Sequence, residues 1–284
     1  MTHHEAFFTN AMGNVIFTQS WHAEGNQPQA IVIVVHGLGE HSGRYQNLIH
    51  TLIPHNITVY GLDHTGHGKS EGKRVYLDNF DEFINTLDSY VDHVKKVHSE
   101  CPLYLVGHSM GGLITSTYLL QHQSKLSGAV LSAPAIQPPA QISPLLIKLG
   151  KYIAAIAPAL PAVALDIKGI SRDPSVIERY LQDPLVHSGN VTAGLSRQIQ
   201  LAMDNMVQNA HLINLPLLIL QGTEDRLVNP QGANFLINAV SSTDKTLKQY
   251  DGLYHELFNE PEKEQVLKDL DEWLALHIAS SALQ

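Results

Sequence analysis

Four short apolar runs constrain this chain more than any other feature: Ala30–Val35, Ile57–Leu62, Leu103–Gly107 and Gly128–Ser132. Each is continuous rather than alternating, the pattern of a strand buried on both faces. Amphipathic stretches near 80–98 and 110–122 separate them. Two later runs, Leu217–Gln221 and Thr246–Tyr250, are followed by helical patterns near 230–240 and 261–277. On the last helix Val266, Leu267, Leu270, Trp273 and Leu274 fall three and four apart. The final run is more polar and belongs nearer a sheet edge. Strand and helix in alternation imply an α/β fold, a mostly parallel sheet with helices on both faces.

The rhythm breaks between 136 and 209. Residues 134–184 hold 8 of the 14 prolines, and no strand pattern returns before Leu217. This stretch reads as an inserted helical cap, dividing the core into residues 1–135 and 210–284. Leu145, Leu146, Leu149, Tyr152, Ile153 and Ile156 recur at helical spacing, with Lys148 and Lys151 on another face. That pattern fits a helix packed on the core. It equally fits an apolar lid over a lipid-binding pocket, Ile153 among its lining residues, that makes transient contact with membranes.

Composition narrows the partners. With 284 residues, 44% hydrophobic and 16% charged, the chain is globular and large enough to bury a sizeable core. Eighteen Lys and Arg against 27 Asp and Glu leave a net charge of -9, which repels phosphate backbones, so no nucleic-acid partner is expected. Cys101 is the only cysteine, which excludes an intrachain disulfide and favours a cytoplasmic setting, peripheral to a membrane if the cap touches one. The N-terminus lacks the basic start and apolar run of a secretory signal. The longest uncharged apolar stretch, Tyr152–Leu165, spans 14 residues and contains Pro158 and Pro161. A bilayer span needs about 20 residues, so no transmembrane helix is expected.

The pattern Gly-x-Ser-x-Gly occurs twice, at Gly107-His108-Ser109-Met110-Gly111 and at Gly68-Lys69-Ser70-Glu71-Gly72. By chance it arises in about one chain in ten of this size, so context must decide. Ser109 follows the apolar run ending at Val106 and precedes Leu113, Ile114, Thr117 and Tyr118 at helical spacing. That is the strand-to-helix turn on which a nucleophilic hydroxyl is exposed. Ser70 lies in a polar, Gly-rich loop, where a turn or cap hydrogen bond is its expected role.

A serine hydroxyl needs an imidazole to take its proton and a carboxylate to orient that imidazole, here in the chain order Ser, acid, His. Of 17 histidines, His255 alone follows the final strand in a Gly-containing loop. Asp225 follows the strand Leu217–Gln221, with the adjacent Glu224 as the alternative acid. An oxyanion hole requires two backbone N–H groups. Met110, after the nucleophile, supplies one, and Leu38 in His36-Gly37-Leu38-Gly39, after the first of these runs, supplies the other.

Other chemistries lack their residues. A phosphate-cradling loop ending at Lys69-Ser70 would need glycine at 63, where Asp63 stands. A zinc-protease reading of His255-Glu256 would need histidine at 259, which is Asn259, and no metal site is expected. No dinucleotide fingerprint follows the first of these runs, so cofactor-free catalysis is implied.

Together, His36–Tyr45, Asp63–Gly72, Gly107–Gly112, Gly222–Asp225 and His255 resemble the monoglyceride lipase branch of the α/β-hydrolase family. The resemblance covers most of the chain and is weakest in the cap. It implies hydrolysis of monoacylglycerol to glycerol and fatty acid. It also places Glu40 and Arg44 at the glycerol end of the pocket, with His108 nearby. Their spacing of four residues also suits an ordinary surface ion pair. Mammalian members carry a second histidine three residues after the catalytic one, where this chain has Phe258. Lysophospholipase, general carboxylesterase and thioesterase activities remain alternatives on this scaffold. A non-enzymatic binding protein would have no need of nucleophile, base and acid together.

Overall fold

The computed structural model describes residues 1–25, 27–138 and 154–281. Its strands are β1 (Thr2–Thr9), β2 (Val15–His22), β3 (Ala30–Val35), β4 (Ile57–Leu62), β5 (Leu103–His108), β6 (Gly128–Ser132), β7 (Pro161–Ala164), β8 (Asn190–Thr192), β9 (Leu217–Gly222) and β10 (Lys245–Tyr250). Its helices are α1 (Gln46–Leu52), α2 (Asp81–Val97), α3 (Met110–His122), α4 (Pro174–Gln182), α5 (Ala193–Asn209), α6 (Gln231–Ala239) and α7 (Lys263–Ser281). Eight strands form one sheet in the order β1-β2-β4-β3-β5-β6-β9-β10. All pairs from β4 to β10 are parallel; β1 with β2 and β2 with β4 are antiparallel.

Successive side chains of β3 explain the two-sided core. Ile31, Ile33 and Val35 join a cluster with Phe83 and Leu87 of α2, Leu113 and Ile114 of α3, and Leu236 of α6. Ala30, Val32 and Val34 point the other way, against Leu48 and Leu52 of α1 and Val266, Leu270 and Leu274 of α7. All six residues are buried, which is why the run reads as continuously apolar. As its polarity predicts, β10 closes one edge of the sheet.

Two elements depart from the sequence reading. β1 and β2 form an N-terminal hairpin that extends the other edge. β1 is exposed along most of its length, and β2 buries Thr18, Gln19 and Ser20, so neither shows an apolar run. Within the stretch expected to lack strands, β7 and β8 pair antiparallel. With only four and three residues, they fall below any periodic window.

β6 and β9 are neighbours in the sheet, so the residues between them lie outside it. Asp173 caps α4, accepting from Ser175 N–H, and Thr192 caps α5, accepting from Leu195 N–H. α5 packs on α3 through Leu195, Met203 and Met206. Of the predicted lid stripe, Ile156 is 88% exposed, whereas residues 145–153, Ile153 included, lie outside the described residues. No described helix is long and apolar enough to cross a membrane.

The loop after β4 is held by polar contacts rather than by packing. Asp63 accepts from Ser42 N–H and hydroxyl at 2.9 and 2.6 Å and from Lys69 N–H at 2.9 Å. Ser70 is buried, donates to the Asp63 carbonyl at 2.6 Å and accepts from Phe17 N–H at 2.8 Å, joining this loop to β2. Ser70→Ala leaves a buried N–H unpaired and is expected to cost about 1–3 kcal/mol of stability in urea unfolding. Esterase activity of the folded variant should be retained. Loss of activity without loss of stability would give Ser70 a chemical role instead.

Candidate active site

Ser109 occupies the turn between β5 and α3 with φ 56° and ψ -119°, a positive-φ conformation that costs a non-glycine residue about 1–3 kcal/mol. The turn is held by Ser109 N–H donating to the Ser132 carbonyl and by Leu113 and Ala135 N–H donating to the Ser109 carbonyl. Close approach is what permits it. A Cβ on Gly111 would overlap the Val35 carbonyl oxygen, so α3 meets the end of β3 nearly backbone to backbone. A Cβ on Gly37 would stand 3.2 Å from Ser109 Cβ, which brings the loop after β3 against the serine. No acceptor among the described residues meets the Leu38 or Met110 backbone N–H. Both residues line the cavity that contains Ser109.

His255 and Asp225 reach this cavity from the loops after β10 and β9. His255 Nδ1 lies 2.8 Å from Asp225 Oδ2, and both side chains are almost wholly buried. Asp225 Oδ1 also accepts from Leu227 and Val228 N–H, at 2.9 and 3.1 Å. Burial pushes the Asp225 carboxyl up, but His255 and those N–H donors outweigh it and hold it below the usual range. For His255 burial works the other way, disfavouring the imidazolium. Asp225 overcomes this, with help from Glu256 and Glu40, and raises its pKa above the ordinary 6.5. With Nδ1 committed to Asp225, Nε2 is left to act on a proton. The adjacent Glu224 is exposed and takes no part in this pair.

His108 stands beside the serine with its ring 4.7 Å from that of His255. Burial and His255 lower its pKa to about 4, and Nδ1 faces the Ser132 carbonyl at 3.1 Å, so it is neutral near pH 7. Behind the loop Gly37-Leu38-Gly39, His36 Nε2 accepts from His64 N–H at 2.9 Å, which leaves Nδ1 to donate to the Gly37 carbonyl at 2.8 Å. Burial and His67 hold His36 far below its usual pKa, so this clamp is uncharged.

Glu40 and Arg44 form a buried pair, not a surface one. Arg44 Nη1 donates to Glu40 Oε2 at 2.8 Å, and the two side chains are 10% and 6% exposed. Glu40 also accepts from Gly37 N–H and the Tyr45 hydroxyl, both at 2.7 Å. Burial raises the Glu40 carboxyl, yet Arg44, His108, Tyr45 and Gly37 together hold it below its usual range. Sequence reasoning missed the third member. Glu256 binds Arg44 in bidentate fashion at 2.7 and 3.0 Å, and Tyr180 of α4 covers the guanidinium at 4.6 Å from its ring centre. The only local signal was a second acid directly after His255.

The main cavity, of about 540 Å³, has Ser109, His255, Glu40, His108 and Glu256 in its wall. Elsewhere its lining is mostly apolar, with Leu160, Val163, Leu165, Ile199 and Met203 from the stretch between β6 and β9. Glu40, His108 and Glu256 also border a second cavity of about 10 Å³, room for about one water, alongside Arg44 and Phe258. Among the described residues no group of three or more His, Cys, Asp or Glu is arranged to hold a metal ion.

A serine on the strand-to-helix turn of a mostly parallel sheet, with an Asp–His pair on the loops that follow later strands, defines an α/β hydrolase. The sequence matches the serine aminopeptidase S33 family over residues 26–262. It is 38% identical over 277 residues to a monoacylglycerol lipase of Mycolicibacterium smegmatis, covering 98% of this chain and 99% of that one. It is 35% identical over 275 residues to a monoglyceride lipase of Mus musculus, covering 96% and 90%. The crystal structure of Paleococcus ferrophilus monoacylglycerol lipase superposes with a TM-score of 0.82 at 33% identity, covering 98% of this chain and 100% of that one. The chain belongs to this hydrolase family, in its monoglyceride lipase-like branch.

Only neutral His255 accepts a proton, so ester hydrolysis is expected to fall as pH drops through its raised pKa. The acid limb of kcat/KM should lie above 6.5. Asp225→Asn removes the main cause of the rise, so that limb should move down while kcat drops on the order of ten-thousand-fold. An unmoved limb in Asp225→Asn would assign it to another group.

Proposed function

We propose that this chain hydrolyses monoacylglycerols to glycerol and fatty acid through an acyl-enzyme on Ser109. The observation that carries this reading is a single cavity with two chemistries: an apolar wall fit for an acyl chain, and a carboxylate-rich patch, Glu40 and Glu256, fit for hydroxyls. Its volume falls within the roughly 300–1,000 Å³ typical of small-molecule sites. The names of the relatives lend support.

In this mechanism Ser109 Oγ attacks the ester carbonyl while His255 Nε2 takes its proton. Leu38 and Met110 N–H groups stabilise the oxyanion, each worth about 3–4 kcal/mol in comparable sites. Asp225 fixes the His255 tautomer and stabilises the imidazolium. The tetrahedral intermediate collapses, and the imidazolium protonates the departing glycerol oxygen. Water then loses a proton to His255 and attacks the acyl-enzyme, and collapse returns that proton to Ser109 as the fatty acid leaves.

Residues 136–209 act as a cap over the acyl end of the cavity, and the cap meets the lipid surface from which substrate is drawn. The support is exposed apolar surface there: Ile156 at 88%, Leu160 at 50% and Val163 at 41%.

Fatty-acid release from 1-oleoylglycerol is expected to exceed that from oleoyl-lysophosphatidylcholine, and Ser109→Ala should abolish it, by on the order of a million-fold. Serine-dependent release from both alike would leave a general esterase. Ile156→Glu should weaken sedimentation with phosphatidylcholine vesicles and slow hydrolysis of emulsified 1-oleoylglycerol several-fold, with a soluble butyrate ester unaffected. Equal slowing of both substrates would remove the surface role.

A further inference from the structure

Arg44 borders the small second cavity together with Glu40, His108 and Glu256 of the main cavity's polar end, and three of its five N–H groups are engaged by the two carboxylates. Nη1 holds both Glu40 and Glu256, Nη2 holds Glu256, and Tyr180 lies over the guanidinium. Two carboxylates against one guanidinium leave this end with a net negative charge. His108 adds none near pH 7, since burial keeps it neutral. The cation in the main cavity's lining among the described residues, Arg197, comes from α5, outside this polar end. A phosphate needs free N–H donors and positive charge, as a bidentate arginine supplies. Here the arginine is already bidentate to Glu256. A hydroxyl, by contrast, donates, and carboxylate oxygens that carry one bond each have acceptor capacity left. Glu40 Oε2 and Glu256 Oε1 each accept from Arg44 alone.

We propose that Glu256, through its grip on Arg44, sets the alcohol specificity of this site: uncharged polyol esters enter, and esters whose alcohol carries a phosphate are turned away. This deepens the function proposed above and rests on it. Glu256 is a specificity-determining residue, since its carboxylate faces the departing alcohol rather than the bond that breaks. Like charges brought together in a buried site discriminate strongly between partners that are otherwise the same.

The experiment compares kcat/KM on 1-oleoylglycerol with that on 1-oleoyl-lysophosphatidic acid, the same ester with a phosphate on the glycerol. Wild type should favour the uncharged lipid by about a hundredfold or more. In Glu256→Gln the preference should narrow at least about tenfold, through a rise in the lysophosphatidic acid value as Arg44 is released. Glu256→Asp, which keeps the charge, should keep the preference. If Glu256→Gln lowers both substrates in proportion, or if Glu256→Asp relaxes the preference as much as Glu256→Gln does, the proposal is overturned. Wild-type cleavage of both lipids alike overturns it too, and leaves the hydrolase reading standing. Should wild type cleave neither lipid, the monoacylglycerol function fails separately. The charge effect is then decided by the same ratio on phenyl butyrate and 4-sulfophenyl butyrate: no narrowing in Glu256→Gln sinks it.

Discussion

The site depends on one steric constraint, the contact between the start of α3 and the end of β3. Because residue 111 is glycine, the helix backbone lies against the Val35 and His36 carbonyls. Any side chain there would push α3 away from the sheet. That contact brings the start of α3 and the loop Gly37-Leu38 together beside Ser109, and Leu38 and Met110 line the same cavity as the serine. The unfavourable backbone of Ser109 is tolerable because both flanking elements are fixed by burial. β5 is buried throughout, as is α3 from Met110 to Leu119. A strain of about 1–3 kcal/mol is small against cores of that extent.

Charge is distributed around this turn in a consistent way. The imidazoles of His36 and His108, beside the loop after β3, are kept neutral by burial and by other histidines. His255 alone is pushed toward the imidazolium, first by Asp225 and then by Glu256 and Glu40. One histidine is therefore favoured toward its charged form while its neighbours stay neutral, the pattern expected of a base among bystanders.

Much of this was legible in the sequence, for a physical reason. Parallel strands buried on both faces must be continuously apolar, and β3, β4, β5, β6 and β9 are. The turn at Ser109 shows itself through glycines that only close backbone approach requires, whereas the second Gly-x-Ser-x-Gly at Ser70 proves to be a structural hydrogen-bonding loop. Three things were hidden. β2 buries polar residues against neighbouring elements, so its sequence lacks an apolar run. The cap strands are too short to show a period. Glu256 was hidden because its partner Arg44 lies 212 positions away, and no local pattern couples them.

A buried Glu–Arg–Glu cluster is an unfavourable device if stability alone is considered. Desolvating three charges costs more than well-packed apolar residues would, and an odd carboxylate remains uncompensated. The position of the two carboxylates in the wall of the cavity that holds Ser109 has two consequences. Glu40 Oε2 and Glu256 Oε1 each keep acceptor capacity that an apolar wall would lack. Their field also favours the charged form of His255, which must exist in both transition states. The position three residues after His255 is Phe258, buried in the core with α1 and α7, so no imidazole stands there, while the carboxylate of Glu256, one residue after His255, holds Arg44. Under the specificity proposed for Glu256, the carboxylate that meets the alcohol also raises the pKa of His255, so a change there alters both together.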